Sequence, residues 1–217
     1  LRAFSETFGI PVSETQAGKS AMSWKDPMSV GAVGVTGTSA ANLLAKAADV
    51  VLVVGSRLQD FTTASKQVFA SDVILLHLNV SKFDGLKMDS IMLQADAKSG
   101  LELLREELSK AVFQTSNEYR DRVAKLQSEW NAEVDRLYNL TSEDGNVQTS
   151  IVGTLNEFMA PEDIVLCAAG SLPGDLHRLW RSEIPKTYHM EYGYSCMGYE
   201  VAGGLGAKMA MDKGEVY

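Results

Sequence analysis

The sequence predicts an α/β protein: an open, mostly parallel sheet followed by the incomplete start of a second α/β unit. Three observations carry this expectation. Two apolar runs, 49–55 and 73–79, alternate with segments of helical apolar spacing. A charged stretch over 115–140 repeats its apolar residues every three or four positions. A fresh alternation of helix and strand then begins at Val147. Strands separated by helices imply parallel pairing through crossover connections. The expected division is a first domain over 1–112, a linker helix within 113–146, and the start of a second domain over 147–217.

Each element follows from its residues. The opening Leu-Arg-Ala-Phe-Ser-Glu-Thr-Phe reads as part of an amphipathic helix entered from a longer chain. Residues 9–12 form a short strand approached through Gly9 and Pro11, and 40–48 have helical spacing. The unbroken run at 49–55 suits a strand buried on both faces of a parallel sheet. A second helix is expected to end over 67–70, followed by a buried strand at 73–79 and a shorter one at 91–95. Leu101, Leu104 and Leu108 mark a helix over 99–112. Tyr119, Val123, Leu126, Trp130, Val134 and Leu137 form one amphipathic stripe. It is too short and too mixed for a coiled coil, so the helix should pack on the sheet-bearing body. A polar turn over 142–146 ends it. Ile151, Leu155 and Phe158 then place a helix over 148–159, before a turn at 161–163 and a strand at 164–168. A helix at 175–181 and a strand at 187–190 follow, and Gly214-Glu215-Val216-Tyr217 opens a further buried strand.

Composition narrows the function. A net charge of −8 argues against nucleic acid, whose binders need a basic face. It argues equally against an anionic membrane surface, and no apolar run reaches the roughly 20 residues that span a bilayer. The N-terminus carries no secretory signal. Cys167 and Cys196 lie on apolar stretches and are expected as reduced, buried thiols of a cytoplasmic protein. With three scattered histidines they build no zinc site.

Five segments offer chemistry. Ala17-Gly18-Lys19-Ser20 ends like a P-loop, but Ser13 stands where that motif needs its first glycine. Gly31-Ala32-Val33-Gly34-Val35-Thr36-Gly37-Thr38-Ser39 precedes a helix, and reads either as an anion cradle or as a turn with a Thr or Ser cap. The capped turn is the preferred reading. Arg57 follows a strand at the sheet edge where ligands bind, with a phosphate contact or a pairing with Asp60 open to it and the pairing preferred. Gly170-Ser171-Leu172-Pro173-Gly174-Asp175 closes the 164–168 strand and opens a helix, where backbone N–H groups and the Ser171 hydroxyl could meet a diphosphate. A second small-residue turn, Gly193-Tyr194-Ser195-Cys196-Met197-Gly198, ends the next strand, so two strand ends face one crevice. Taken alone, Met197 near a helix start reads as a core methionine.

The segments Gly170–Trp180 and Thr187–Glu200 resemble the thiamine-diphosphate enzymes of the acetolactate synthase type, which follow Gly-x-Met-Gly with a small-residue helix. The string from Tyr188 to Glu200 is most similar to those members that open a cyclic 1,2-diketone by hydrolysis in myo-inositol catabolism. The resemblance implies most of the family's middle domain, its linker helix and the first third of its cofactor domain, as a piece of a larger enzyme. It implies thiamine diphosphate and Mg2+ as cofactors, with the metal-binding Gly-Asp-Gly motif expected beyond Tyr217 and no metal ligand within the chain. The implied cofactor-binding residues are Gly170, Ser171, Leu172, Ser195, Met197 and Gly198. The implied roles are specific. Gly170 and Ser171 approach the diphosphate with Leu172 beside them. The Ser195 carbonyl accepts from the aminopyrimidine, and the Met197 N–H donates to its ring. The Met197 side chain, the implied catalytic group, wedges between the two rings. Ser195 replaces the family's usual glycine, and Phe61 stands where FAD-holding relatives have an arginine, which argues against FAD. His177 and His189 are candidates for substrate contact, with a partly exposed surface position preferred for His177. The implied partner is a small-molecule substrate within a homo-oligomer. Rival readings are a carboligase or decarboxylase of 2-oxo acids, and a cofactor-binding module without catalysis. The piece alone is expected to bind thiamine diphosphate weakly or not at all.

Overall fold

The computed structural model describes residues 1–143 and 145–217. The first unit contains α1 (Arg2–Phe8), β1 (Val12–Glu14), β2 (Ser29–Ala32), α2 (Ser39–Lys46), β3 (Val50–Val54) and α3 (Asp60–Thr63). It continues through β4 (Ile74–Asn79), α4 (Lys82–Gly85), β5 (Ile91–Gln94) and α5 (Ala97–Lys110). The long helix is α6 (Asn117–Tyr138). After the two-residue strands β6 (Thr141–Ser142) and β7 (Gly145–Asn146) come α7 (Gln148–Phe158), β8 (Val165–Cys167), α8 (Leu172–Leu179), β9 (Tyr188–Met190) and α9 (Tyr199–Ala210).

The α/β class and parallel pairing match expectation. Strands β3, β4 and β5 form a parallel sheet in that order, with Val53 opposite His77 and Leu78 opposite Leu93. Strands β1 and β2 pair separately, also in parallel, so the described strands of the first unit form two sheets rather than one. The glycine-containing β2 carries no apolar run to announce it. Strands β8 and β9 pair in parallel, and Val216 bridges Ile164 on the other side of β8, as the apolar C-terminal residues suggested.

Several boundaries differ from the reading of the sequence. The first strand lies at 12–14, past Pro11, which has no N–H for a ladder. Strand β3 is not buried on both faces: Val53 is, but Val50 is 51% exposed at the edge of its sheet. Residues 67–70 are not the end of a helix. The helix there is the single turn α3, and Ala64, Ser65 and Lys66 all turn to positive φ after it. Lys46 then donates to the carbonyls of Gln67 and Phe69, so these find their partner outside a helical ladder. Helix α8 starts at Leu172 rather than Asp175, because Pro173 sits in its first turn, where the missing N–H costs nothing. At the polar turn, β6 and β7 pair antiparallel, Thr141 with Asn146 and Ser142 with Gly145; Asp144 lies outside the described residues.

Helix α6 unites the two units. Ser116 caps it, its hydroxyl accepting from the Tyr119 N–H at 3.1 Å. Its first half delivers Val123, with Tyr119 and Leu126, to the core formed by Val30, Leu44, Val53, Phe69 and Leu75. Its second half delivers Val134, with Leu137 and Tyr138, to the core formed by Val152, Val165, Leu176, Leu179 and Trp180. Trp130 packs against both cores. Among the described residues no helix is long and apolar enough to cross a membrane.

Candidate functional site

Two loops leave the carboxyl ends of neighbouring strands. Cys167, last in β8, pairs with Met190, last in β9, and the Glu191 N–H donates to the Cys167 carbonyl at 3.2 Å. The first loop, 168–171, runs into α8. Gly170 has φ 99° and Gly198, at the end of the second loop, has φ 88°. Both conformations favour glycine, and a Cβ at either would enter open space. The Ser171 hydroxyl makes no capping bond to α8, and Leu172 is 43% exposed.

The second loop, 191–198, is organised around a carboxylate. Glu191 Oε1 accepts from the Tyr194 N–H at 3.0 Å and Oε2 from the Cys196 N–H at 2.8 Å. These bonds, the Cys196 N–H foremost, hold the Glu191 carboxyl below its usual range. Below the loop, His189 Nε2 and the Tyr199 hydroxyl meet at 2.7 Å with their rings stacked. Glu200 accepts from the Gly198 N–H at 3.0 Å, and backbone N–H groups, its own first, lower its pKa as well. Among the described residues neither the Ser195 carbonyl nor the Met197 N–H has a partner. The loop thus turns N–H groups inward to Glu191 and leaves one acceptor and one donor, two residues apart, without a partner. The Met197 side chain stands 89% exposed beside them.

That pair of free main-chain groups, with an apolar side chain at their side, fits the edge of an aminopyrimidine. Of the six cofactor-binding residues expected from the sequence, five lie on these two loops and Leu172 opens α8 directly after the first. Leu172, Tyr194 and Met197 carry exposed side chains. A hollow of about 300 Å³ lies elsewhere, lined by residues including Trp24, Tyr138, Asn156 and Arg181. Among the described residues no group of three or more His, Cys, Asp or Glu side chains could hold a metal ion.

Other candidates resolve differently. Ser195 has φ 52°, a left-handed conformation that explains a glycine preference at this position. Cys196 is exposed, contrary to expectation, because its loop projects from the sheet; Cys167 is buried, and both are free thiols. Burial raises the Cys167 pKa, with the Tyr188 hydroxyl 3.3 Å away opposing it. Arg57 makes no ion pair with Asp60 among the described residues; Asp60 instead accepts from the Ser65 hydroxyl at 3.3 Å. The 31–39 segment is the capped turn: Thr38 Oγ1 accepts from the Ala41 N–H and donates to the Val30 carbonyl. Lys19 is buried, 5.9 Å above the Tyr188 ring, so the P-loop-like tail has no free lysine.

His177 is not on the surface. It is 1% exposed and ties the two units together. Its Nδ1 meets Thr36 Oγ1 at 2.8 Å and its Nε2 lies 3.3 Å from the Glu14 carbonyl. Burial foremost, then the Lys19 charge, lowers its pKa to about 3. Burial likewise raises the Glu14 carboxyl, against the pull of Lys19. Nearer the loops, Phe61 packs edge-on to Tyr192 with ring centroids 6.1 Å apart, so helix α3 of the first unit borders the second loop. Sequence reasoning missed Glu191, Tyr192 and Glu200. An acidic residue placed just before a Gly-x-Ser turn was the available signal for the first.

Comparison with known proteins agrees with this architecture. The thiamine pyrophosphate enzyme central domain matches residues 1–104, and the thiamine pyrophosphate enzyme C-terminal TPP binding domain matches 168–217. The chain is 46% identical to the 3D-(3,5/4)-trihydroxycyclohexane-1,2-dione hydrolases of Bacillus thuringiensis (strain Al Hakam) and Bacillus cereus (strain 03BB102). It is 43% identical to the protein of that name from Clostridium tetani (strain Massachusetts / E88). Each alignment covers all of this chain and 37% of the relative, so the chain spans little more than a third of their length. With the family's central domain matched over 1–104 and its TPP binding domain over 168–217, the chain belongs to the thiamine pyrophosphate enzymes.

Proposed function

We propose that the whole protein carrying this chain is a thiamine diphosphate-dependent hydrolase that opens a trihydroxycyclohexane-dione ring in myo-inositol catabolism. The bond cleaved is a carbon–carbon bond of a cyclic 1,2-diketone. The observation that carries this reading is the 43–46% identity extending through all of this chain to hydrolases of that name. When bound, thiamine diphosphate supplies a nucleophilic carbon and an electron sink for breaking a bond beside a carbonyl.

This chain's residues hold and orient. The Ser195 carbonyl accepts from the exocyclic amino group of the aminopyrimidine, and the Met197 N–H donates to a ring nitrogen. The exposed Met197 side chain would pack against the rings and help orient them. Gly170 and Ser171, with Leu172 beside them, bring backbone N–H groups to the diphosphate at the start of α8. Gly198 ends the turn in a conformation that lets α9 begin at once. Magnesium is proposed as the partner of the diphosphate, with no ligand assigned among the described residues. The apolar outer face of α9, with Val201 80% and Met209 79% exposed, supports a homo-oligomer in which that face is covered. The free thiols of Cys167 and Cys196 support a cytoplasmic setting.

The test is to offer the full-length protein the inositol-derived dione and pyruvate side by side, with thiamine diphosphate and magnesium. Ring opening to an acid is expected from the dione. Pyruvate turnover with the dione untouched would overturn the reading.

A further inference from the structure

The second loop has an internal brace with no part in the roles assigned above. A turn with exposed Tyr194, Ser195, Cys196 and Met197, and with Ser195 at positive φ, has few apolar contacts to hold it. Left alone it would sample many conformations, and a ligand that needs one of them would bind more weakly in proportion to its rarity. Glu191 removes that freedom. Its two oxygens take the N–H groups of Tyr194 and Cys196, and the N–H groups of Gly193 and Ser195 also point towards it. Such bonds to an ionised carboxylate are the stronger kind. A trans peptide points its C=O opposite its N–H, so the Cys196 N–H held by Glu191 turns the Ser195 carbonyl away from that carboxylate, and the Met197 N–H beyond it is left without a partner. The His189–Tyr199 contact fixes the two ends of the same loop, joining the end of β9 to the first residue of α9.

We propose that Glu191 is a positioning residue: its carboxylate presets the 193–197 turn so that the Ser195 carbonyl and Met197 N–H face the cofactor before it arrives. This rests on the assignment of that turn to thiamine diphosphate, and it assigns Glu191 no contact with substrate.

The experiment compares Glu191→Ala and Glu191→Gln with the parent, in the full-length protein. Hydrogen exchange at the Tyr194 and Cys196 amides is measured without cofactor, and the thiamine diphosphate Kd by calorimetry. Glu191→Ala should speed exchange at both amides and raise the Kd roughly ten-fold or more. Glu191→Gln, keeping one neutral acceptor, should fall between, and KM for the dione should stay unchanged in both. Unchanged exchange, or faster exchange with the parental Kd, would overturn the proposal. Should Glu191→Ala not fold, Glu191→Gln decides by the same two readouts. If the parent itself binds no thiamine diphosphate, the functional reading fails, while exchange at 194 and 196 still decides whether Glu191 presets the turn.

Discussion

Acid should weaken this protein through one buried ring. His177 sits in a directed chain of hydrogen bonds. Gln16 Nε2 donates to Thr36 Oγ1 at 3.1 Å, Thr36 Oγ1 donates to His177 Nδ1, and His177 Nε2–H donates to the Glu14 carbonyl. This arrangement satisfies the neutral ring. A second proton on Nδ1 would oppose the Thr36 hydroxyl proton and add a charge near buried Lys19. The folded pKa of about 3 lies well below the ordinary 6.5. Between those values the unfolded chain holds a proton that the folded chain refuses, so stability falls as pH falls. The slope for one such group approaches about 1.4 kcal/mol per pH unit, or about 2 kcal/mol between pH 7 and pH 5. Glu14 acts in the opposite sense, since its raised pKa favours the folded state in acid. A comparison with His177→Gln separates the two, because Glu14 is common to both chains. Urea unfolding at pH 7 and pH 5 should give the parent about 2 kcal/mol more acid loss than the variant. Equal losses, or an NMR titration of the His177 ring near pH 6.5, would refute the reasoning.

Three further outcomes are expected. Ser195→Gly should raise stability by about 0.5–1 kcal/mol, as relief of the left-handed backbone outweighs added chain freedom; a thermal melt that moves down contradicts this. Met197→Ala in the full-length enzyme should cut turnover by about 10²-fold while the thiamine diphosphate Kd changes little, because the N–H remains and only the wedge is lost; equal losses in both would deny it that role. A thiol reagent should modify Cys196 at once and Cys167 only after denaturation, the first being exposed and the second buried with a raised pKa; two fast thiols per native chain would be the contrary result.

The sequence was most legible where a pattern repeats. The stripe from Tyr119 to Leu137 predicts α6, and the runs at 49–55 and 73–79 predict β3 and β4, because burial of many apolar groups leaves little choice of periodicity. The six cofactor-loop positions came from a recognisable string, and the structure sets them on two adjacent strand ends. What stayed hidden depends on distant partners. Nothing local says that His177 will meet Thr36, 141 positions away. Nothing in Ala64-Ser65-Lys66 announces three positive φ angles, which arise as the chain turns to bury Val68 and Phe69. Glu191 stayed hidden as well, since its partners are backbone groups that every sequence possesses.

Trp130 gives α6 a foot in both hydrophobic interiors. A rigid rod embedded in two bodies cannot serve as a pivot between them. Any hinging of one unit against the other about this helix would have to pull the indole out of one of its two settings. Heat should dismantle that frame in a single cooperative step, because loosening either half strips the shared indole of its packing.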